Sequence, residues 1–316
     1  MATTEVLEQI AMCDAASAWI VMIASTASLN AAYLAPAGAE RIYANGPHTM
    51  TAGVFAPKGR GTRVEGGYRI SGWWPFCSGS LHADWITGGF VVEGESTLRA
   101  AFFPADQVEI IDSWHVMGLA ATGSHDFRVD DVFVPDDHTI APDIDPPWAE
   151  EPLYRFPLYG MLALGVSSVM LGIARGAIDD VVELATEKVP TGSRRTLAER
   201  PAVQQAIAQS EARLGSARAY MRDRIAEAWD LAVDGHPVEG TTRAGLRMAA
   251  THAAETSVDV VEAMFRAAGG TAIYRTNRLE QRFRDVNTAA QHMMISQPTW
   301  EVVGRALLGV GDHNQL

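Results

Sequence analysis

The spacing of apolar residues changes character along the chain, and those changes restrict what it can fold into. Through about residue 45 the chain reads as helix: in "EVLEQIAMCDAASAWIVMIASTASLNAAYL", Val6, Leu7, Ile10 and Ala11 recur at helical spacing. Asp14 is placed to cap a second helix that begins near Ala15. From about Thr49 short alternating pieces take over: "TAGVFAP", "TRVEGGYRISGWWPF", "DWITGGFVV", "LRAAFFPA", "VEIIDSW" and "HDFRVDDVFVP". Gly, Pro and Asp punctuate them, and "VEGGYRI" predicts a hairpin around Gly66-Gly67. After the linker "APDIDPPWAEEP" the pattern returns to helix, over about 156–188, 199–233, 240–268 and 279–308. The expected fold is α+β: N-terminal helices over 1–48, a β-barrel-like module over 49–141, and a C-terminal four-helix bundle over 150–316.

Composition narrows the function classes. The net charge of −13 disfavours a nucleic-acid backbone or an anionic membrane as partner. The two cysteines, Cys13 and Cys77, supply neither a disulfide framework nor a zinc spacing, as suits a reducing cytoplasm. The N-terminus carries acids and no basic leader, so no signal peptide is read there. The uncharged run Phe156 to Ala174 approaches the length of a bilayer span, but its glycines, serines and proline, and its lack of basic flanks, predict a buried central helix. His82/Asp84 and His125/Asp126 have no companion ligands, so no metal is expected. No G-x-G-x-x-G or P-loop occurs, which argues against a built-in nicotinamide or ATP site.

The most unusual stretch is "GWWPFCSGSLHADW", Gly72 to Trp85. On an ideal strand Trp74, Phe76 and Ser78 share one face, and Trp73, Pro75 and Cys77 the other. An aromatic followed two residues later by a hydroxyl offers a stacking surface and a hydrogen bond, as a tricyclic flavin needs. On these residues alone, core aromatics followed by a turn serine is the favoured reading.

The order of several motifs adds a more specific reading. "GGYRISGWWPFCSGSLHADWI", "GLAATGSHDFRVDDVFVP" and "AAGGTAIYRTNRLEQRFRDVNTAAQH" resemble the acyl-CoA dehydrogenase superfamily, most closely its branch of flavin-dependent two-component aromatic hydroxylases. The resemblance runs from about residue 5 to the end and implies that Phe76 stacks on the flavin while Ser78 bonds near its N5. The dehydrogenases place a catalytic glutamate at or next to the position of Met293. The hydroxylases place a histidine there, and His292 matches it. A thioether cannot abstract a proton, so oxygenation is preferred to acyl-CoA oxidation.

The resemblance implies a chemistry as well. Reduced FMN or FAD arrives from a separate flavin reductase, oxygen adds to give a C4a-hydroperoxyflavin, and a phenolic or other aromatic small molecule is hydroxylated. Ser78 shares the N5–H hydrogen bond. His292, on the last long helix, holds and deprotonates the substrate hydroxyl, since imidazole titrates near neutral pH. Thr122 and Ser124 line the flavin or the substrate, or form a tight turn. Arg195, Thr196 and Gln204, in "GSRRTLAERPAVQ", match a segment that reaches a neighbouring subunit's flavin in an expected homotetramer, or form a solvated charged run. Gly269 and Gly270 admit close backbone approach to the cofactor or stop a helix. The N-terminal helical domain reads as truncated relative to the family. Two other readings are an FAD-dependent acyl-CoA dehydrogenase and a non-catalytic, flavin-binding or oligomeric remnant.

Overall fold

The computed structural model describes residues 1–142 and 144–310; Asp143 in the linker and the end of the 150–316 block lie outside the described residues. The α-helices are α1 (Ala2–Cys13), α2 (Ala15–Ser28), α3 (Pro36–Ile42), α4 (Pro152–Arg155), α5 (Leu158–Glu187), α6 (Pro201–Val233), α7 (Gly240–Ala268), α8 (Arg278–Ala289) and α9 (Pro298–Leu307). The strands are β1 (Thr51–Val64), β2 (Gly67–Cys77), β3 (Trp85–Val92), β4 (Leu98–Pro104), β5 (Glu109–Ile111), β6 (His125–Pro135) and β7 (Thr139–Ile140). The chain divides into two compact units: Met1–Met22, Val116–Leu119 and Arg155–Leu316 form one, and Ile23–His115 with Ala120–Tyr154 the other. The 1–48 block is thus shared between them.

The β unit is a seven-stranded mixed sheet in the order β5-β6-β2-β1-β3-β4-β7. Among the described strands only β1 and β3 run parallel; the other neighbours are antiparallel. The hairpin between β1 and β2 closes at Val64↔Gly67, so its turn residues are Glu65 and Gly66. Gly66 has φ +75°, a conformation glycine adopts without steric cost. One sheet face buries Tyr68, Ile70, Trp74, Phe90, Phe103 and Phe127 in a common core. A second cluster packs Leu34 and Ile42 from the preceding helical segment against Phe102 and Ile140.

The helical unit is built around α5, which packs against α1, α6, α7 and α8. Its uncharged first half explains this position: from Ala163 to Ala174 every residue is buried. Small residues let neighbours close in. A Cβ on Gly172 would sit 2.3 Å from the Glu8 carbonyl oxygen, and one on Gly176 would sit 2.2 Å from the Arg282 guanidinium. Ser167 Oγ donates to the Ala250 carbonyl at 2.7 Å, tying α5 to α7. By length and composition alone, Leu158–Glu187 and the earlier stretch Ala15–Tyr33 are each apolar enough to cross a membrane; the first is mostly buried within its unit.

The helix expected over 279–308 is two helices. α8 ends at Ala289 and α9 starts at Pro298, with turns between them. Pro298 has no N–H to continue a helical ladder and its ring excludes the preceding turn, so the chain restarts there.

Candidate active site

The sequence places Phe76 and Ser78 on a regular strand, and the structure corrects that geometry. β2 pairs with β6 at Trp74↔Phe127 and again at Cys77↔His125, with a register shift between the two pairs. Pro75 and Phe76 fill this bulge, and Phe76 takes φ +68°. The irregularity breaks the alternation. Trp74 is fully buried, stacked on Phe127 with ring centroids 4.7 Å apart, while Phe76 is 68% exposed. Trp74 and Phe76 therefore do not share a face, and Cys77 joins Trp74 in the core. Burial pushes the Cys77 thiol up to about 12, so it stays protonated and unreactive.

Beyond the bulge the chain turns sharply. The Ser78 amide donates to the Phe76 carbonyl at 3.0 Å, Gly79 takes φ +77°, and the Gly79 amide donates to the Thr122 carbonyl at 2.9 Å. Ser80 Oγ donates to the Gly123 carbonyl at 3.2 Å. Residues 78–80 and 122–124 are thereby laced together, and their side chains meet. Ser78 Oγ lies 2.7 Å from Ser124 Oγ, and Ser124 Oγ lies 2.7 Å from Thr122 Oγ1. All three residues are buried. The fold thus brings Phe76, Ser78, Thr122 and Ser124 together at one end of β2.

Trp114 meets the exposed Phe76 ring edge-on, with centroids 6.2 Å apart. Its loop is anchored by the pair weighed as metal ligands from sequence. His125 Nδ1 accepts from the Ser113 and Trp114 amides at 3.3 Å, and Asp126 accepts from Ser113 Oγ at 2.9 Å and Trp73 Nε1 at 2.8 Å. Asp84 likewise accepts from the Met50 amide. Among the described residues no His/Cys/Asp/Glu group has the arrangement of a metal site.

His292 belongs to the helical unit. It sits in the turn after α8 rather than on a long helix. Its Nδ1 accepts from the Met294 amide at 3.3 Å, and its ring meets Trp19 edge-on at 5.6 Å. Arg247, buried on α7, donates to the Met294 carbonyl at 2.9 Å and so pins the same turn. Burial, and secondarily the Arg247 guanidinium, push the His292 pKa down to about 4. The imidazole is neutral at pH 7, and with Nδ1 accepting, the hydrogen-bond network assigns the proton to Nε2. The near-neutral titration expected of it does not hold, because the unit surrounds it with apolar groups and a fixed positive charge.

The other expected residues occupy two further places. The Thr196 amide donates to Glu199 at 2.8 Å and Gln204 Nε2 to the Ala198 carbonyl at 2.8 Å, ordering the approach to α6, while Arg195 is exposed. Gly269 ends α7 with φ +63°; a Cβ on Gly269 or Gly270 would meet nothing within 4 Å. Trp19, Trp114 and Arg247 were missed from sequence. Arg247 left a signal: it is a charge on the stripe that α7 buries with Ala250, Thr251 and Ala254.

Residues 164–297 match the acyl-CoA dehydrogenase C-terminal domain. An indole-3-acetate monooxygenase of Pseudomonas putida is 32% identical over 315 residues, covering 96% of this chain and 79% of the relative. The oxygenase component of an FADH2-dependent resorcinol hydroxylase from Rhizobium sp. is 28% identical, covering 87% of this chain and 72% of the relative. Among solved structures, XiaF from Streptomyces sp. in complex with FADH2 and glycerol superposes with TM-score 0.91 at 25% identity, covering 98% of this chain and 81% of that one.

Proposed function

Because the chain belongs to the flavin-dependent monooxygenase branch of the acyl-CoA dehydrogenase superfamily, we propose that it is the oxygenase component of a two-component system that hydroxylates a phenolic or other aromatic small molecule. The observation that carries this reading is the end of β2, where an exposed Phe76 precedes by two residues Ser78, whose buried hydroxyl lies with those of Ser124 and Thr122. That donor set fits a flavin. The ring offers a face for a flat heteroaromatic, and the hydroxyls can accept or donate at its edge.

Bound reduced flavin would supply the two electrons that activate oxygen. The chain's own residues do the rest. Phe76 stacks and orients the ring, and Ser78 meets the hydrogen at N5. Cys77 stays a protonated, buried thiol and takes no part. His292 presents Nε2–H as a neutral donor that positions a substrate oxygen. With a pKa of about 4 it is a weak base, so its role at neutral pH is orientation and charge stabilisation rather than full deprotonation. Met293, where a dehydrogenase would carry its carboxylate, is 72% exposed and has no acid–base chemistry.

A separate flavin reductase supplies the reduced cofactor. Arg195, Thr196 and Gln204 meet a flavin phosphate contributed across a homotetramer contact, and Gly269–Gly270 leave an unobstructed backbone edge for the same purpose. The exposed Ile273 and Tyr274 beside those glycines are apolar surface that self-association would cover.

The test is anaerobic loading with chemically reduced FMN or FAD, followed by rapid mixing with oxygen and an aromatic panel that includes indole-3-acetate and resorcinol. The reading predicts an absorbing species that persists before oxidised flavin returns, together with a hydroxylated product. Immediate reoxidation, combined with bleaching of bound FAD by an acyl-CoA, would contradict it.

A further inference from the structure

The bulge on β2 turns Phe76 outward with φ +68°, while Cys77 beside it turns into the core. An exposed phenylalanine can rotate about its side-chain bonds, and a flat ligand that stacks on it must first arrest that motion. Trp114 meets this ring. The two centroids are 6.2 Å apart and the planes stand at 90°, the arrangement in which the positive edge of one ring meets the negative face of the other. Phe76 stays 68% exposed with Trp114 against it, so the contact supports the ring without closing it off.

Two neighbouring residues of β6 hold both partners. His125 pairs with Cys77, the residue that follows Phe76 and ends the bulge. Its Nδ1 also accepts from the Ser113 and Trp114 amides at 3.3 Å. Asp126 pairs with Ile111 on β5, immediately before the 112–115 loop. One of its carboxylate oxygens accepts from Ser113 Oγ at 2.9 Å, and its amide donates back to that hydroxyl at 2.9 Å. The strand end that presents Phe76 and the loop that presents Trp114 are therefore fixed from the same two positions. The perpendicular contact is set by backbone as well as by the rings.

We propose that Trp114 is a positioning residue for the flavin: it buttresses Phe76 so that the open part of the ring is pre-set for a flat tricyclic partner, with His125 and Asp126 holding the loop that carries it. This role rests on the reading that Phe76 stacks on that partner. Trp114 acts through Phe76, so its effect on flavin binding disappears when the Phe76 ring is absent. A tryptophan that merely packed its own loop would cost the same with or without that ring.

The experiment is anaerobic titration of reduced FMN and of reduced FAD, each separately, into the full-length protein. The variants are Trp114→Ala, Trp114→Phe, Phe76→Ala and the double variant Phe76→Ala with Trp114→Ala. Trp114→Ala should bind reduced flavin about 2–10-fold more weakly, the worth of one aromatic pair, and Trp114→Phe should recover most of that loss. In the Phe76→Ala background the same Trp114→Ala change should alter the dissociation constant by less than about 2-fold. Trp114→Leu keeps much of the bulk without an aromatic ring, should weaken binding as alanine does, and carries the test if Trp114→Ala does not fold. If Phe76→Ala weakens binding but the Trp114 variants bind like the wild type, or lose the same factor in both backgrounds, the buttress is refuted while the flavin site stands. If folded Phe76→Ala binds like the wild type, or the wild type binds neither flavin, the stacking reading fails and the buttress with it.

Discussion

Trp74 and Phe76 are two residues apart on β2, yet Trp74 is fully buried and Phe76 is 68% exposed with φ +68°. A phenylalanine in the left-handed region is strained, and strain of this kind persists where function requires the side chain. Replacing Phe76 with glycine removes both the ring and the strain, whereas alanine removes only the ring. Phe76→Gly should therefore be more stable than Phe76→Ala by about 1 kcal/mol in urea unfolding.

Trp74 is the keystone of the sheet core. Its indole donates to the Gly89 carbonyl at 2.8 Å, and a Cβ on Gly59, Gly72 or Gly88 would approach the ring within 2.5, 2.3 and 2.8 Å. Trp74→Ala should cost about 3–5 kcal/mol by cavity formation. Gly88→Ala should destabilise through overpacking, by about 1–3 kcal/mol. Denaturant midpoints check both.

In the helical unit Arg282 on α8 bonds Asp180 on α5 at 2.6 Å and the Met12 carbonyl at 2.9 Å, and both charged side chains are largely buried. Removing one partner leaves the other charge buried without its counter-ion. Asp180→Ala should destabilise by about 3–5 kcal/mol, and the matched pair Asp180→Leu with Arg282→Met should recover much of that loss. A double-mutant cycle on unfolding free energies measures the difference.

His292 makes stability depend on pH with a defined sign. Its folded pKa of about 4 lies below the ordinary value of 6.5, so between these values the unfolded chain binds more protons. Its stabilising contribution is complete above about pH 6.5 and is lost as pH falls towards 4. The stability difference between the wild type and His292→Asn should therefore narrow between pH 7 and pH 5. The same variant should leave flavin affinity unchanged and lower the hydroxylation rate about 10–100-fold, the worth of a hydrogen bond to a developing charge.

Much of this was legible in the sequence, because spacing reports which side chains face a core. The alternation of "TRVEGGYRI" located its hairpin, and the helical spacing after the linker located α5, α6 and α7 to within about two residues. The bulge was not legible by counting, since alternation assumes an unbroken register; Pro75, a residue without an N–H inside a strand, was the available warning. The break at His292 was hidden because "AAQHMM" is rich in good helix formers, with Pro298 as the one signal against continuity. The Ser78–Ser124 contact joins residues 46 positions apart and follows only from the fold.

The central claim is that the end of β2 holds a reduced flavin through Phe76. It is tested most directly by anaerobic titration of reduced FMN and reduced FAD into the wild type and Phe76→Ala, followed by flavin absorbance. The account predicts that the variant keeps its fold and binds reduced flavin about 5–100-fold more weakly, the worth of one aromatic stacking platform. Equal affinity in a folded variant would contradict it.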